Sequence, residues 1–246
     1  FAPVSREAAL VVNNVMLTSI LAIVLFGTLY PLVAEAMGAR VSVGPPYFNP
    51  MTALFALPML VVLAIGPLLR WRRDRLARVL PMLAVPALIV VIVAIGIRFI
   101  AGTRTGFLPL AGLVLAPALG VASMLPLRGR KLARVPLATW GMVGAHFGVA
   151  VSLLGMASES AFSVETLAAV RGGETVAVGP WRITLDTVEP VAGPGWTALR
   201  GTLAARYRGG EAHRIAPEAR SFWAPPQTTS ETALVTRWNG QLYTVL

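Results

Sequence analysis

His146 lies near the middle of VPLATWGMVGAHFGVAVSLLGMAS, residues 135–158, a run without a single formal charge. The run is long enough to cross a bilayer, which takes roughly 20 apolar residues in a helix. An imidazole there brings a donor and an acceptor that hydrocarbon cannot satisfy, and charged types cost about 2.5 kcal/mol or more at a helix centre. At about 100° per residue, Gly141, Gly144, Gly148 and Gly155 fall on one stripe. The sequence predicts that this glycine stripe packs closely against a neighbouring helix.

His146 points nearly the opposite way, among Thr139, Met142, Val143, Val149 and Ala150. Two uses fit such a histidine. One is coordination of a flat apolar group through an imidazole nitrogen, and a haem is such a group. The other is an interhelical hydrogen bond to a hydroxyl or a backbone carbonyl. The helix alone leaves both open.

Other chemistry is sparse. There is no Gly-rich phosphate loop, no nucleophile elbow, no metal-spaced His/Cys cluster and no carboxylate pair in an apolar span. With no cysteine in the chain, thiol chemistry requires sulfur from a partner. The second histidine, His213 in GGEAHR, reads as a solvated strand-edge residue. Asn13 and Asn14 read as a polar seam between helices.

The elements that must position His146 follow from hydropathy. Of 246 residues, 56% are hydrophobic and 13% charged, with a mean hydropathy of +0.70. That composition excludes an ordinary soluble domain and indicates a polytopic α-helical membrane protein. Five spans are predicted, at about 10–33, 51–69, 79–97, 105–127 and 135–158. The Ser5–Glu7 approach reads as the first helix start. SVGPPYFN, holding Tyr47 and Phe48, is predicted as an ordered loop. Tyr30, Tyr47, Phe48, Trp71 and Trp140 suit an interfacial aromatic belt.

Charge sets the orientation. The net charge of +10 belongs wholly to residues 1–157, with thirteen Lys and Arg against three acids, whereas residues 158–246 carry eight of each sign. Nine of the thirteen cations cluster in 70–78 and 128–134. These clusters are a topology signal and suit anionic lipid heads, which argues against a nucleic-acid partner. The positive-inside rule places both in the cytoplasm, and the Tyr47–Phe48 segment and everything after Ser158 outside.

From Phe162 the pattern changes to short alternating runs. ETVAV, WRITLDTV and TALRGTLAARY read as strands, separated by GG, VGP, AGPG and RGGE turns. Asn239–Gly240 in TRWNGQLYTV predicts a two-residue type I′ hairpin. Residues 159–246 are therefore expected to form a small extracytoplasmic all-β domain.

Several of these stretches together resemble one family. SREAALVVNN leading to LFGTLYPL, then SVGPPYFNP, GPLLRWRRD and AHFGVAVSLLGMASES, followed by PEARSF and SETALVTRWNGQLYTVL, are similar, in order, to the C-terminal half of CcmF. That is the membrane haem lyase family of bacterial System I cytochrome c maturation.

The resemblance implies more than the spacing shows. It implies a haem b in the membrane with His146 as one axial ligand to its iron, the other ligand and the haem-delivery histidines lying upstream of Phe1. It implies a further membrane helix beyond the β domain, so the chain reads either as part of a longer protein or as one half of a split one. It also implies thioether attachment of haem to apocytochrome c CxxCH thiols, with haem brought by the chaperone CcmE, other subunits such as CcmH as partners, and the membrane haem as reductant. The location implied is the bacterial inner membrane, with the β domain in the periplasm. On that reading Tyr47 and Phe48 are candidates to approach delivered haem. The competing expectation is a non-catalytic membrane scaffold whose β domain docks apocytochrome or maturation subunits.

Overall fold

The computed structural model describes residues 2–101 and 106–246, with the side chains of 100 and 101 left aside. It divides into a helical unit ending at Ser163 and a β unit, Val164–Leu246. Arg104 and the start of the fourth predicted span lie outside the described residues.

The helical unit contains α1 (Arg6–Ala36), α2 (Pro45–Ile65), α3 (Leu76–Val79), α4 (Ala84–Ala101), α5 (Phe107–Met124) and α6 (Leu137–Phe162). With the flanking 3₁₀ turns they supply five segments long and apolar enough to cross a membrane. Ser5 caps α1: its hydroxyl donates to the Ala2 carbonyl (2.8 Å) and accepts from the Ala8 N–H (3.1 Å). Glu7 in the first turn adds a favourable charge to that end.

Helix starts differ most from the hydropathy reading. The expected SVGPPYFN loop is largely helix, because α2 begins at Pro45 and carries Tyr47 and Phe48 in its opening turns. Proline at the first helical positions forfeits no hydrogen bond, since those N–H groups have no intrahelical partner. The third span opens with α3 and a 3₁₀ turn, Leu80–Leu83, before α4 continues it. The last helix runs on through Glu159 and Ser160 to Phe162, so the helical unit extends beyond residue 158.

The β unit holds eight strands: β1 (Thr175–Val178), β2 (Trp181–Gly193), β3 (Trp196–Tyr207), β4 (Ala212–Ile215), β5 (Glu218–Trp223), β6 (Pro226–Glu231), β7 (Ala233–Arg237) and β8 (Gly240–Thr244). β1-β2-β3-β5-β6 form an antiparallel sheet with β4 also on β3, while β7 and β8 make a separate hairpin. The β2–β3 turn is Pro194–Gly195, with Gly195 at φ +80°, the conformation a type II turn demands there. Trp181, Ala205 and Leu242 form the core, with Ile183, Tyr207, Ile215 and Val235 packed around them.

The predicted Asn239–Gly240 turn is displaced by one residue. Arg237 pairs with Gly240, so Trp238 and Asn239 are the central pair, and neither has the positive φ of a type I′ turn. The observed register sets Val235 opposite Leu242, both in or against the core. The predicted turn would have set Leu242 opposite Arg237. Packing of the two apolar residues against each other overrides local turn preference, because moving the turn by one residue shifts the partners by two and sets a charged side chain opposite Leu242. Asn239 instead donates from Nδ2 to the Tyr207 hydroxyl (3.0 Å).

Candidate functional site

α5 and α6 pack through small residues. Val143, Ala150 and Ala157, seven residues apart, are the buried positions of α6. A Cβ built on Gly112 of α5 would lie 2.6 Å from the Ala157 Cβ, so the helices approach as closely there as glycine allows. At Gly120 a Cβ would meet Phe147 and Ala150 at 3.6 and 3.7 Å, ordinary contact. Leu60 of α2, Leu119 of α5 and Ala150 form a small core at this level.

The expected glycine-stripe packing is not what the described residues show. Cβ atoms on Gly141, Gly144, Gly148 and Gly155 would meet nothing within 4 Å. α6 meets α5 on its histidine side instead. The reason is that α5 supplies the glycines, so α6 needs only alanine and valine at the seam.

His146 therefore stands on the packed side of α6, one turn before Ala150, and is half-buried. Its Nδ1 lies 2.8 Å from the Met142 carbonyl oxygen. A carbonyl can only accept, so Nδ1 carries the proton and Nε2 keeps its lone pair. Nε2 has no hydrogen-bond partner among the described residues and is not sealed from its surroundings. A backbone carbonyl fixing tautomer and ring orientation is the usual support behind a metal-binding imidazole.

The donor set narrows what such a nitrogen could hold. Among the described residues no three His, Cys, Asp or Glu side chains gather as a metal site. A lone imidazole cannot cage an ion. It suits the axial position of a metal whose equatorial ligands come from a macrocycle. The residues present thus fit a haem with His146 on one side.

Below His146, Met142 has a second contact. Arg6 of α1 reaches it, with Nη2 at 3.4 Å from the thioether sulfur. The Arg6 guanidinium also lies over the Trp71 ring, 5.4 Å from its centroid. Nothing in the sequence pairs residue 6 with residue 142, and this contact is legible only in the fold.

The remaining sequence-predicted residues lie elsewhere. Tyr47 and Phe48 pack edge-to-face (centroids 5.2 Å apart) against α1, where a Cβ on Gly27 would meet both rings within 2.8 Å. Asn14 is exposed on α1 beside Thr18, with no hydrogen-bond partner among the described residues. His213 is exposed on the edge strand β4, its ring 6.4 Å from Trp181. In the arginine-rich 70–78 segment, Asp74 accepts from the Arg70 and Arg75 N–H groups and from the Arg78 guanidinium, which holds its carboxyl well below the usual range.

Comparison with known proteins agrees along the length of the chain. Residues 161–246 match the CcmF C-terminal β-sandwich. A cytochrome c-type biogenesis protein CycK of Rhizobium meliloti is 35% identical over 100% of this chain and 38% of its own length. The cytochrome c-type biogenesis protein CcmF of Escherichia coli is 29% identical over 98% of this chain and 38% of its own. The chain resembles the C-terminal half of CcmF proteins. A solved structure, the cytochrome c heme lyase CcmF, superposes with a TM-score of 0.66 at 25% identity, over 96% of this chain and 39% of that one. The CcmF resemblance thus spans both units, five apolar helices and the β unit. The chain covers about two-fifths of the length of the relatives it matches.

Proposed function

We propose that this chain is the part of a cytochrome c haem lyase that carries one axial ligand of a membrane haem b together with an extracytoplasmic β domain. The observation that carries the reading is the His146 ring, held through Nδ1 by the Met142 carbonyl with Nε2 unpartnered among the described residues. A haem bound there would supply one-electron redox chemistry inside the membrane. Relatives matched over the whole chain are cytochrome c biogenesis proteins, which supports the same assignment.

This chain's own contributions are positional. The Met142 carbonyl fixes the imidazole, and the α5–α6 seam fixes the helix that bears it. The attachment reaction adds two cysteine S–H groups across two vinyl groups, each sulfur bonding to one carbon and each proton ending on its neighbour. No atoms leave, and the thiols belong to apocytochrome c, since this chain has no cysteine. Haem delivery by the chaperone CcmE, contact with subunits such as CcmH, and the reductant role of the membrane haem are part of the same proposal. So are the bacterial inner membrane and a periplasmic β domain, which the loop charges support.

The test is a reduced-minus-oxidised spectrum and pyridine haemochrome assay on full-length protein, wild type against His146→Ala. The expected result is a b-type signal lost in the variant while its size-exclusion profile is unchanged. An unchanged haem signal would return His146 to helix packing and favour the scaffold role.

A further inference from the structure

The helical unit contains a cation that reaches Met142, one turn before His146, and that no ion pair among the described residues explains. Arg6 is half-buried, yet the ion pairs of the described residues are Arg78–Asp74, Arg200–Glu218, Arg220–Glu218 and Arg220–Glu231. Among the described residues its guanidinium contacts the Met142 sulfur and the face of Trp71. A thioether is a weak acceptor, and a guanidinium carries five donors. Most of its hydrogen-bonding capacity is therefore unused.

The backbone holds this arginine firmly in place. Its N–H donates to the Arg70 carbonyl (2.9 Å), the Asp74 N–H donates to the Val4 carbonyl (2.8 Å), and the adjacent Ser5 is the fully buried helix cap. The head is thereby directed at α6, which has no cation of its own in its 26 residues. Met142 joins the two groups, since its carbonyl orients His146 and its sulfur meets Arg6. The four-residue step between Met142 and His146 corresponds to about 6 Å along a helix.

A haem carries two propionate carboxylates, and burying a carboxylate without a partner is expensive. An under-satisfied guanidinium one helical turn from the axial ligand is the group such a carboxylate needs, and Arg–carboxylate pairs are the strong charge-assisted kind. We propose that Arg6 is the propionate anchor of the haem held by His146, a positioning residue that fixes how the porphyrin is turned about the Nε2 bond. This rests on the reading of His146 as a haem ligand.

Full-length protein tests it with Arg6→Gln, Arg6→Lys and His146→Ala, using haem transfer to apomyoglobin and redox titration. Arg6→Gln should lose haem about tenfold faster, as expected for one charge-assisted hydrogen bond removed. Its midpoint potential should fall, because losing a nearby positive charge favours the ferric state. Arg6→Lys should restore most of both. Reconstitution with haem dimethyl ester, which lacks the carboxylates, should show weak retention in wild type and no further loss in Arg6→Gln. Wild-type protein that retains the ester as well as haem overturns the inference even if Arg6→Gln fails to fold. Loss of haem in His146→Ala with Arg6→Gln indistinguishable from wild type overturns the anchor and leaves the ligand reading standing. Haem retained in His146→Ala overturns both.

Discussion

Glu218 opens β5 as a buried carboxylate between two arginines. Arg200, its register partner on β3, donates from Nε to Oε1 (2.6 Å), and Arg220 donates from Nε to Oε2 (2.8 Å). Its other register partner is Glu231 on β6, a like charge directly opposite. Arg220 offsets that repulsion by reaching Glu231 as well (3.3 Å) while stacking over Trp196 (4.4 Å from the ring centroid). Arg220→Ala should therefore weaken the β unit more than Arg200→Ala, read as faster hydrogen exchange in β5 and β6. The hydrogen bonds from Arg220 and then Arg200 hold the Glu218 carboxyl below its ordinary value of 4.5. A lowered folded pKa means its stabilisation is complete above the unfolded value and is lost as pH falls through the folded one. Exchange protection of β5 should thus decline on acidification below about pH 4.5 in wild type and be flatter in Glu218→Gln. In the sequence, PEARSF shows the residue types but not that a strand register would set two acids face to face.

The decisive geometry at the scale of elements is the α5–α6 seam, which holds the helix bearing His146. Gly112→Ala forces a Cβ to 2.6 Å from Ala157, where something must move. It should cost about 1–3 kcal/mol, the usual range for overpacking, measured by thermal unfolding of the full-length protein in detergent. Gly120→Ala meets only ordinary contacts and gains helix propensity, so it should be neutral or slightly stabilising. An equal loss from both would place the tight approach elsewhere. Hydropathy located all five spans and period-2 patterning located β1 to β3, because those signals are carried by each segment's own residues. Which face of α6 packs was not legible, since it depends on α5 having Gly112 and Gly120. The hairpin register departs from its local turn signal for the same kind of reason. Asn239–Gly240 is a local turn signal, and the burial of Val235 and Leu242 that overrides it is a tertiary one.

The charge asymmetry between the two units makes a claim about the whole molecule. All the excess positive charge lies in residues 1–157, and nine of the cations fall in two short connections, 70–78 and 128–134. Arg78 is bound up with Asp74, but Arg70, Arg72, Arg73 and Arg75 stay exposed, as do Arg128, Arg130, Lys131 and Arg134. Eight exposed cations on two connections are ample for anionic cytoplasmic lipid, at about 1 kcal/mol each near such a surface. The β unit carries eight arginines against seven acids, so it adds little to the bias. On the proposed topology, five crossings would set the β unit across the membrane from both loops. The absence of cysteine makes this directly measurable. In a full-length background without other cysteines, Glu211→Cys, exposed beside β4, should react with a membrane-impermeant maleimide in cells with a permeabilised outer membrane. Arg130→Cys should react only after the inner membrane is broken. The reverse pattern would invert the topology and place the β unit with the cytoplasmic loops. It would also overturn the proposed role of the β unit toward apocytochrome and delivered haem, leaving the His146 haem proposal to stand on its spectrum alone.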